Sequence, residues 1–155
     1  MPVSEPLNKK DILIFLKSLI ADNRKRSIAH YEEIRNSVLT ESKSSAGDKH
    51  ETARAMAQIE LDKAANIVQQ QEKLMAALNR LENINQEPKH IALGSLIKCS
   101  GFFIYISVGI GKISYQNHTI YTTGFNSPLA QQIKGKKLNE SFDFNGKSYS
   151  ILELT

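Results

Sequence analysis

The sequence holds one cysteine, Cys99, and no tryptophan. A single cysteine excludes an intrachain disulfide and a metal site built from several thiolates, and it fits a reducing cytoplasm. No apolar run is long enough to cross a bilayer. The first residues lack a basic segment followed by an apolar core, so we expect no signal peptide and no membrane partner.

Residues that would build an enzyme's own active site are also scarce. The histidines are scattered, no Ser/His/Asp set is evident, and no glycine loop has the spacing that cradles a phosphate. We therefore expect neither an enzyme nor a small-molecule substrate. Hydrophobic residues make up 41% of the chain and charged residues 23%, which is typical of a globular protein, and the net charge is +4. This mild basic excess permits contact with nucleic acid without requiring it.

Two long stretches have the periodicity of amphipathic helices. The first begins at Lys9 or Lys10, and the second covers residues 52–83 without Gly or Pro. Steps of four and three residues predict a coiled-coil seam on the second helix. Its members are Ala57, Leu61, Ala64, Val68, Gln71, Met75 and Leu78. The matching stripe on the first helix is Leu13, Leu16, Ile20, Ser27, Ile34 and Val38, with Tyr31 beside it. A short polar connection between them predicts an antiparallel helical hairpin over residues 1–88, with its tip near residues 42–51.

Strand patterns replace the helical period after Pro88. Beta-rich runs, the compact hairpin connection Gln116-Asn117-His118 and the Asn145-Gly146 hairpin signal predict a small antiparallel sheet over residues 89–155. Ser127 suits a helix cap, Pro128 a first helical turn and Gly135 a helix stop. The expected fold class is therefore α+β, with one short helix packed on the sheet.

The tip combines Gly47 with two carboxylates, Asp48 and Glu51, spaced by three residues. In the C-terminal part, Ser127-Pro128-Leu129 is followed by Gly135-Lys136-Lys137. With these motifs on a helical hairpin joined to a small sheet domain, the sequence resembles the bacterial Gre transcript-cleavage factors. That family carries Gly-Asp-x-x-Glu at its tip and both C-terminal motifs at this separation. The resemblance covers nearly the whole chain.

The resemblance implies an FKBP-like C-terminal domain and a hairpin that enters the side channel of RNA polymerase. There Asp48 and Glu51 would act as the catalytic and metal-binding residues. They would help hold a Mg²⁺ ion, shared with the polymerase and not stably bound by this chain alone, beside the RNA 3′ end. Mg²⁺ prefers hard oxygen ligands and takes one or two protein carboxylates. The polymerase would then cut a backtracked transcript, and this chain would act as an accessory factor.

Other interpretations stay open. Where the family continues with Asn-Ala-Glu-Tyr, this chain has Thr52-Ala53-Arg54-Ala55, so a side-channel regulator without cleavage activity is one alternative. A coiled-coil interaction module that self-associates through the Ala57–Leu78 seam is another, and prolyl isomerisation ranks last. Asp48 and Glu51 also have the spacing of a capping box, in which they would only begin the second helix.

Overall fold

The structure is a computed structural model that describes residues 6–41, 48–84 and 88–155; the side chains of residues 41 and 48–50 lie outside that description. Two long helices precede a small sheet domain with one short helix, which confirms the predicted α+β fold class. In chain order the elements are α1 (Lys9–Glu41), α2 (Asp48–Leu81), β1 (Leu96–Cys99), β2 (Phe102–Ser107), β3 (Gly111–Tyr115), β4 (His118–Gly124), α3 (Pro128–Ile133), β5 (Ser141–Phe144), β6 (Lys147–Ser150) and β7 (Glu153–Leu154).

Helix α1 begins at the residue that its sequence predicts because Asn8 caps it. The Asn8 Oδ1 atom accepts a hydrogen bond of 2.9 Å from the backbone N–H of Lys10. An asparagine side chain satisfies in this way one of the donors that every helix leaves unpaired at its N-terminus. Asp11 adds an acid to the first turn, which the helix dipole favours.

By its internal contacts the chain divides into two compact units. One is Leu16–Ala76, and the other joins the residues up to Phe15 with Ala77–Thr155. We call them the hairpin unit and the sheet unit. The domain boundary expected at residue 88 stays a prediction, and residues 85–87 beside it lie outside the described residues.

Within the hairpin unit, α1 and α2 pack side by side and run antiparallel. Arg24 of α1 meets Glu72 of α2, whereas Ser27 and His30 lie near Ala64 and Ile67. Residues later in α1 therefore lie beside residues earlier in α2, as antiparallel helices require. Every predicted seam residue in this unit is buried or half-buried, from Leu16 to Val38 on α1 and from Ala57 to Met75 on α2. The coiled-coil seam is thus confirmed.

The sheet unit is built on a five-stranded sheet in the order β3-β4-β2-β1-β7. Three of its four pairings are antiparallel, but β2 and β4 run parallel, with Ile104 beside Tyr121. The predicted antiparallel sheet therefore contains one parallel pairing, which the sequence pattern does not indicate. Strand β4 takes the inner place and β3 the edge, because β3 carries Lys112 and Ser114, which are exposed there.

One face of this sheet packs on α3 and on the β5–β6 hairpin. Ile97, Ile104, Ile133 and Ile151 are fully buried in that core. On the opposite face, the sheet unit also contains the start of α1, where Phe15 contacts Tyr115 with ring centroids 4.9 Å apart. Ile12 of that first segment is fully buried. None of the helices that the structure describes is long and apolar enough to span a membrane.

Candidate functional site at the start of helix α2

Asp48 and Glu51 both lie in the first turn of α2. The two long helices flank the polar stretch 42–47, which lies outside the described residues. Glu51 is exposed, so its carboxylate oxygens face solvent at the end of the hairpin where α1 stops and α2 starts. The Asp48 side chain is not among those described. The backbone therefore brings the two predicted site residues into one helical turn.

The position of Asp48 bears on the capping interpretation. In α1 and α3 the capping residues, Asn8 and Ser127, come directly before the first helical residue. The described part of α2 begins at Asp48, and residue 47 before it lies outside the described residues. A capping box needs its first member at the cap and its second at the third helical position. The capping-box interpretation of Asp48 and Glu51 stays a prediction, and both acids suit the positive end of the helix dipole.

The neighbours of these acids on α2 are mostly open to solvent. Thr52 and Arg54 are exposed, and Arg54 follows Glu51 by three residues, a spacing at which side chains meet on a helix. Lys43, in the stretch before α2, lies outside the described residues, and so do the side chains of Lys49 and His50.

The donor chemistry of the pair fits a magnesium ion that is shared with another protein. Carboxylate oxygens are the hard ligands that Mg²⁺ prefers, and the ion usually keeps several waters beside one or two protein carboxylates. No cluster of three or more His, Cys, Asp or Glu side chains able to hold a metal occurs in the described part of the chain.

Arg24, Lys25 and Arg26 form a basic cluster on α1, and its two arginines make hydrogen bonds within the hairpin unit. The Arg24 Nη2 atom donates to Glu72 Oε1 at 3.2 Å, and Arg26 Nη2 donates to Asn23 Oδ1 at 3.1 Å. All of Arg24, Lys25 and Arg26 are exposed.

The C-terminal motifs have defined structural roles. Ser127 caps α3, since its Oγ atom accepts a hydrogen bond of 3.1 Å from the N–H of Ala130. Pro128 opens the helix. Gly135 has a φ of +81°, a conformation that glycine adopts without steric strain. Its N–H donates to the carbonyl of Ile91 at 3.0 Å.

The lysines of this region differ in their surroundings. The Lys134 ammonium lies 4.5 Å from the centre of the Phe125 ring, a cation–π contact. The backbone N–H of Lys137 donates to Glu140 Oε2 at 3.0 Å, and the Lys137 side chain is exposed. These contacts fix the backbone of the Gly135-Lys136-Lys137 turn and leave the Lys137 side chain at the surface.

The aromatic residues of the sheet unit pack on one another. Phe102 contacts Tyr121, Phe144 and Tyr149, with ring centroids between 4.8 and 5.8 Å. Phe103 meets the imidazole of His118 edge-to-face at 5.4 Å. Edge-to-face pairs add stability beyond the area that they bury.

A groove of about 470 Å³ lies on the sheet unit, and Phe103, His118, Lys98 and Glu153 are among its lining residues. Its opposite charges compensate each other, because Lys98 Nζ and Glu153 Oε1 are 3.0 Å apart. No pattern in the sequence predicts this groove. Its residues come from four separate segments, and no periodicity in a single stretch indicates that they meet.

The comparisons with known proteins gave no match: no protein-family model, no curated protein and no solved structure is similar to this chain at a significant level.

Proposed function

We propose that this chain is a Gre-like transcription factor of the cytoplasm that binds RNA polymerase in its side channel and promotes cleavage of backtracked transcripts. The observation that carries the proposal is the placement of Asp48 and Glu51 in the first turn of α2, at one end of an antiparallel helical hairpin. A slender pair of helices reaches into a channel that a globular domain does not enter. Its end is where the chain would meet the RNA 3′ end.

The chain's own contribution is to deliver carboxylate oxygens. Asp48 and Glu51 would hold Mg²⁺ together with ligands from the polymerase, and the ion supplies charge stabilisation and an activated water for phosphodiester cleavage. Glu51 is suited to this role because it is exposed. An exposed carboxylate loses little by exchanging water for a metal ion, and the start of α2 fixes where it sits.

The test is a transcript-shortening assay. Stalled, backtracked RNA polymerase with a labelled transcript is incubated with Mg²⁺ and either wild-type protein or the Asp48→Asn/Glu51→Gln variant. We expect shortening with wild type and its loss, by a factor of about 100 or more, with the variant, because both metal-binding oxyanions are gone.

A matched control removes the same two charges elsewhere on α2. Glu60→Gln/Asp62→Asn changes two exposed acids further along the helix and should shorten transcripts as wild type does. If wild type binds polymerase, shown by co-migration, and never shortens the RNA, a regulator that only occupies the channel replaces the proposal.

A coiled-coil interaction module is the second candidate, and one observation favours it. Met56, Ile59 and Ile67 lie on α2 and are 65%, 54% and 45% exposed. Apolar side chains in a row on a helix suit contact with another protein. Sedimentation analysis tests this: a stable oligomer that ignores polymerase would favour the second candidate, and a monomer would argue against it.

A further inference from the structure

The seam of the hairpin unit is interrupted by a polar layer near its middle. Gln71 occupies a seam position of α2 between Val68 and Met75, and Asn23 is half-buried on α1. Their chain neighbours, Arg24 and Glu72, are joined across the two helices at 3.2 Å. Asn23 and Gln71 therefore lie at about the same level of the hairpin.

The polar atoms of this layer are satisfied unequally. The Asn23 side-chain oxygen accepts from Arg26, and its backbone carbonyl accepts a hydrogen bond of 2.7 Å from the Ser27 hydroxyl. The Oε1 atom of Gln71 is fully enclosed and has no hydrogen-bond partner among the residues that the structure describes. Such a buried acceptor lowers stability, and an apolar residue would avoid the loss.

A polar residue in an apolar seam has one well-established use. In coiled coils a single buried amide fixes the alignment of the helices at a cost in stability. The seam of α2 includes two small residues, Ala57 and Ala64, whose side chains offer few contacts that could define one alignment.

A shift of α2 along α1 by one heptad gives an alignment that the polar layer disfavours. Asn23 would then face Ala64, and Gln71 would face Leu16, which is fully buried in an apolar environment. Each amide would then lie at the level of an apolar side chain of the other helix. In the observed alignment Asn23 and Gln71 lie at one level of the hairpin. The exposed ion pair of Arg24 with Glu72 lies beside them.

We infer that Asn23 and Gln71 set the register of the helical hairpin and thereby act as positioning residues for Glu51 and Asp48. The register claim concerns the free protein. Its consequence for cleavage rests on the proposed function, because a slip along the helix axis would move the start of α2 away from its place beside the end of α1. Neither residue touches the reacting groups.

The experiment measures the register with two spin labels. The labels are attached at Asn36→Cys and Gln58→Cys, two exposed sites on opposite helices, in a Cys99→Ala background. We expect one narrow distance in this background and a second, longer or broadened population after Gln71→Leu, although the apparent melting temperature rises by a few degrees. Asn23→Leu should act in the same direction.

Two control variants separate register from general packing. Gln70→Leu makes the same chemical change at the exposed neighbouring residue and should leave the distance narrow. Gln71→Asn keeps an amide and should retain the single distance. A single unchanged distance in both Gln71→Leu and Asn23→Leu would overturn the inference.

The cleavage assay then adds a separate readout. Gln71→Leu should lower transcript shortening by about tenfold, and Gln71→Asn should restore most of it. If wild type shortens no transcript, the proposed function fails, while the distance measurement still decides the register claim.

Discussion

Glu51 presents its carboxylate to solvent in the first turn of α2, and Asp48 begins that turn. The sequence predicts that these two acids share a helical turn, because their spacing of three residues brings them to neighbouring positions on a helix. It does not fix which of them caps the helix. That depends on where the backbone turns helical, and a one-residue shift separates a capping pair from two acids available to a ligand.

Burial changes the acidity of two side chains in the sheet unit. It raises the pKa of the Cys99 thiol from 9.0 to about 11 and the pKa of the Tyr105 hydroxyl from 10.0 to about 12, because the charged forms lose hydration. Both groups thus bind their protons more tightly in the folded state than in the unfolded state.

Stability should therefore fall in alkaline solution. Below pH 9 both groups are protonated in both states and the free energy of unfolding does not depend on them. As the pH rises above 9, the unfolded chain releases the Cys99 proton first, and stability is lost progressively until about pH 11. Tyr105 extends the loss from about pH 10 to 12. Urea unfolding under reducing conditions at successive pH values measures this.

Cys99→Ala provides the control for the pH dependence. Its stability should change less than that of wild type between pH 9 and 10, where the thiol contributes more than Tyr105. Equal slopes for both proteins in that interval would contradict the assignment to Cys99.

At the scale of elements, two hairpin turns adopt similar left-handed backbone conformations with different residues. Gln116 and Asn117 have φ of +48° and +64°, and Asn145 and Gly146 have +51° and +78°. Two central residues with positive φ match the twist of the flanking strands, and Asn-Gly is the preferred pair for this turn. The sequence predicts both turns, but only the structure reveals that Gln116 adopts a left-handed conformation.

Gln116→Asn/Asn117→Gly should therefore stabilise the protein. We expect the free energy of unfolding to rise by about 1 kcal/mol, since a left-handed conformation costs roughly 1 kcal/mol or more for a residue such as glutamine. Chemical denaturation measures the change. The reciprocal variant Asn145→Gln/Gly146→Asn should lose a similar amount; a loss of stability in the first variant would contradict this explanation.

The helical elements are largely predictable, and the strand order is not. The periodicity locates the seam because burial on a helix follows spacing along one stretch of chain. The parallel pairing of β2 with β4 depends on β3 folding to the edge of the sheet. Strands that are distant in the sequence compete for the inner position of the sheet. The residue pattern within each strand does not indicate which of them takes it.

At the same scale, the orphaned Gln71 acceptor predicts a change in stability. Replacing Gln71 by Leu should raise the free energy of unfolding by about 1–2 kcal/mol, because a buried oxygen without a partner is removed and an apolar side chain continues the seam. Thermal or urea unfolding measures this, with Gln70→Leu as the exposed control. Destabilisation by Gln71→Leu would mean that the amide contributes to the folded state.

At the scale of the whole molecule, the two groups of motifs lie in different units. Asp48 and Glu51 belong to the hairpin unit, whereas the α3 motifs from Ser127 to Lys137 belong to the sheet unit. Each of these motifs could be located from sequence because each is local. The grouping of the first residues of α1 with the sheet, seen in the contact of Phe15 with Tyr115, could not, since it joins segments far apart in the chain.

Transcript shortening measured over a series of Mg²⁺ concentrations tests the function proposed for this molecule. Wild type and Glu51→Gln are compared on the same backtracked polymerase, with Glu60→Gln as the control that loses an acid elsewhere on α2. If Glu51 lends an oxygen to the ion, the variant should need about tenfold more Mg²⁺ or higher for half-maximal shortening, and the control should match wild type. A Mg²⁺ dependence that is the same for Glu51→Gln and wild type, or no shortening by wild type at any concentration, would contradict the proposal.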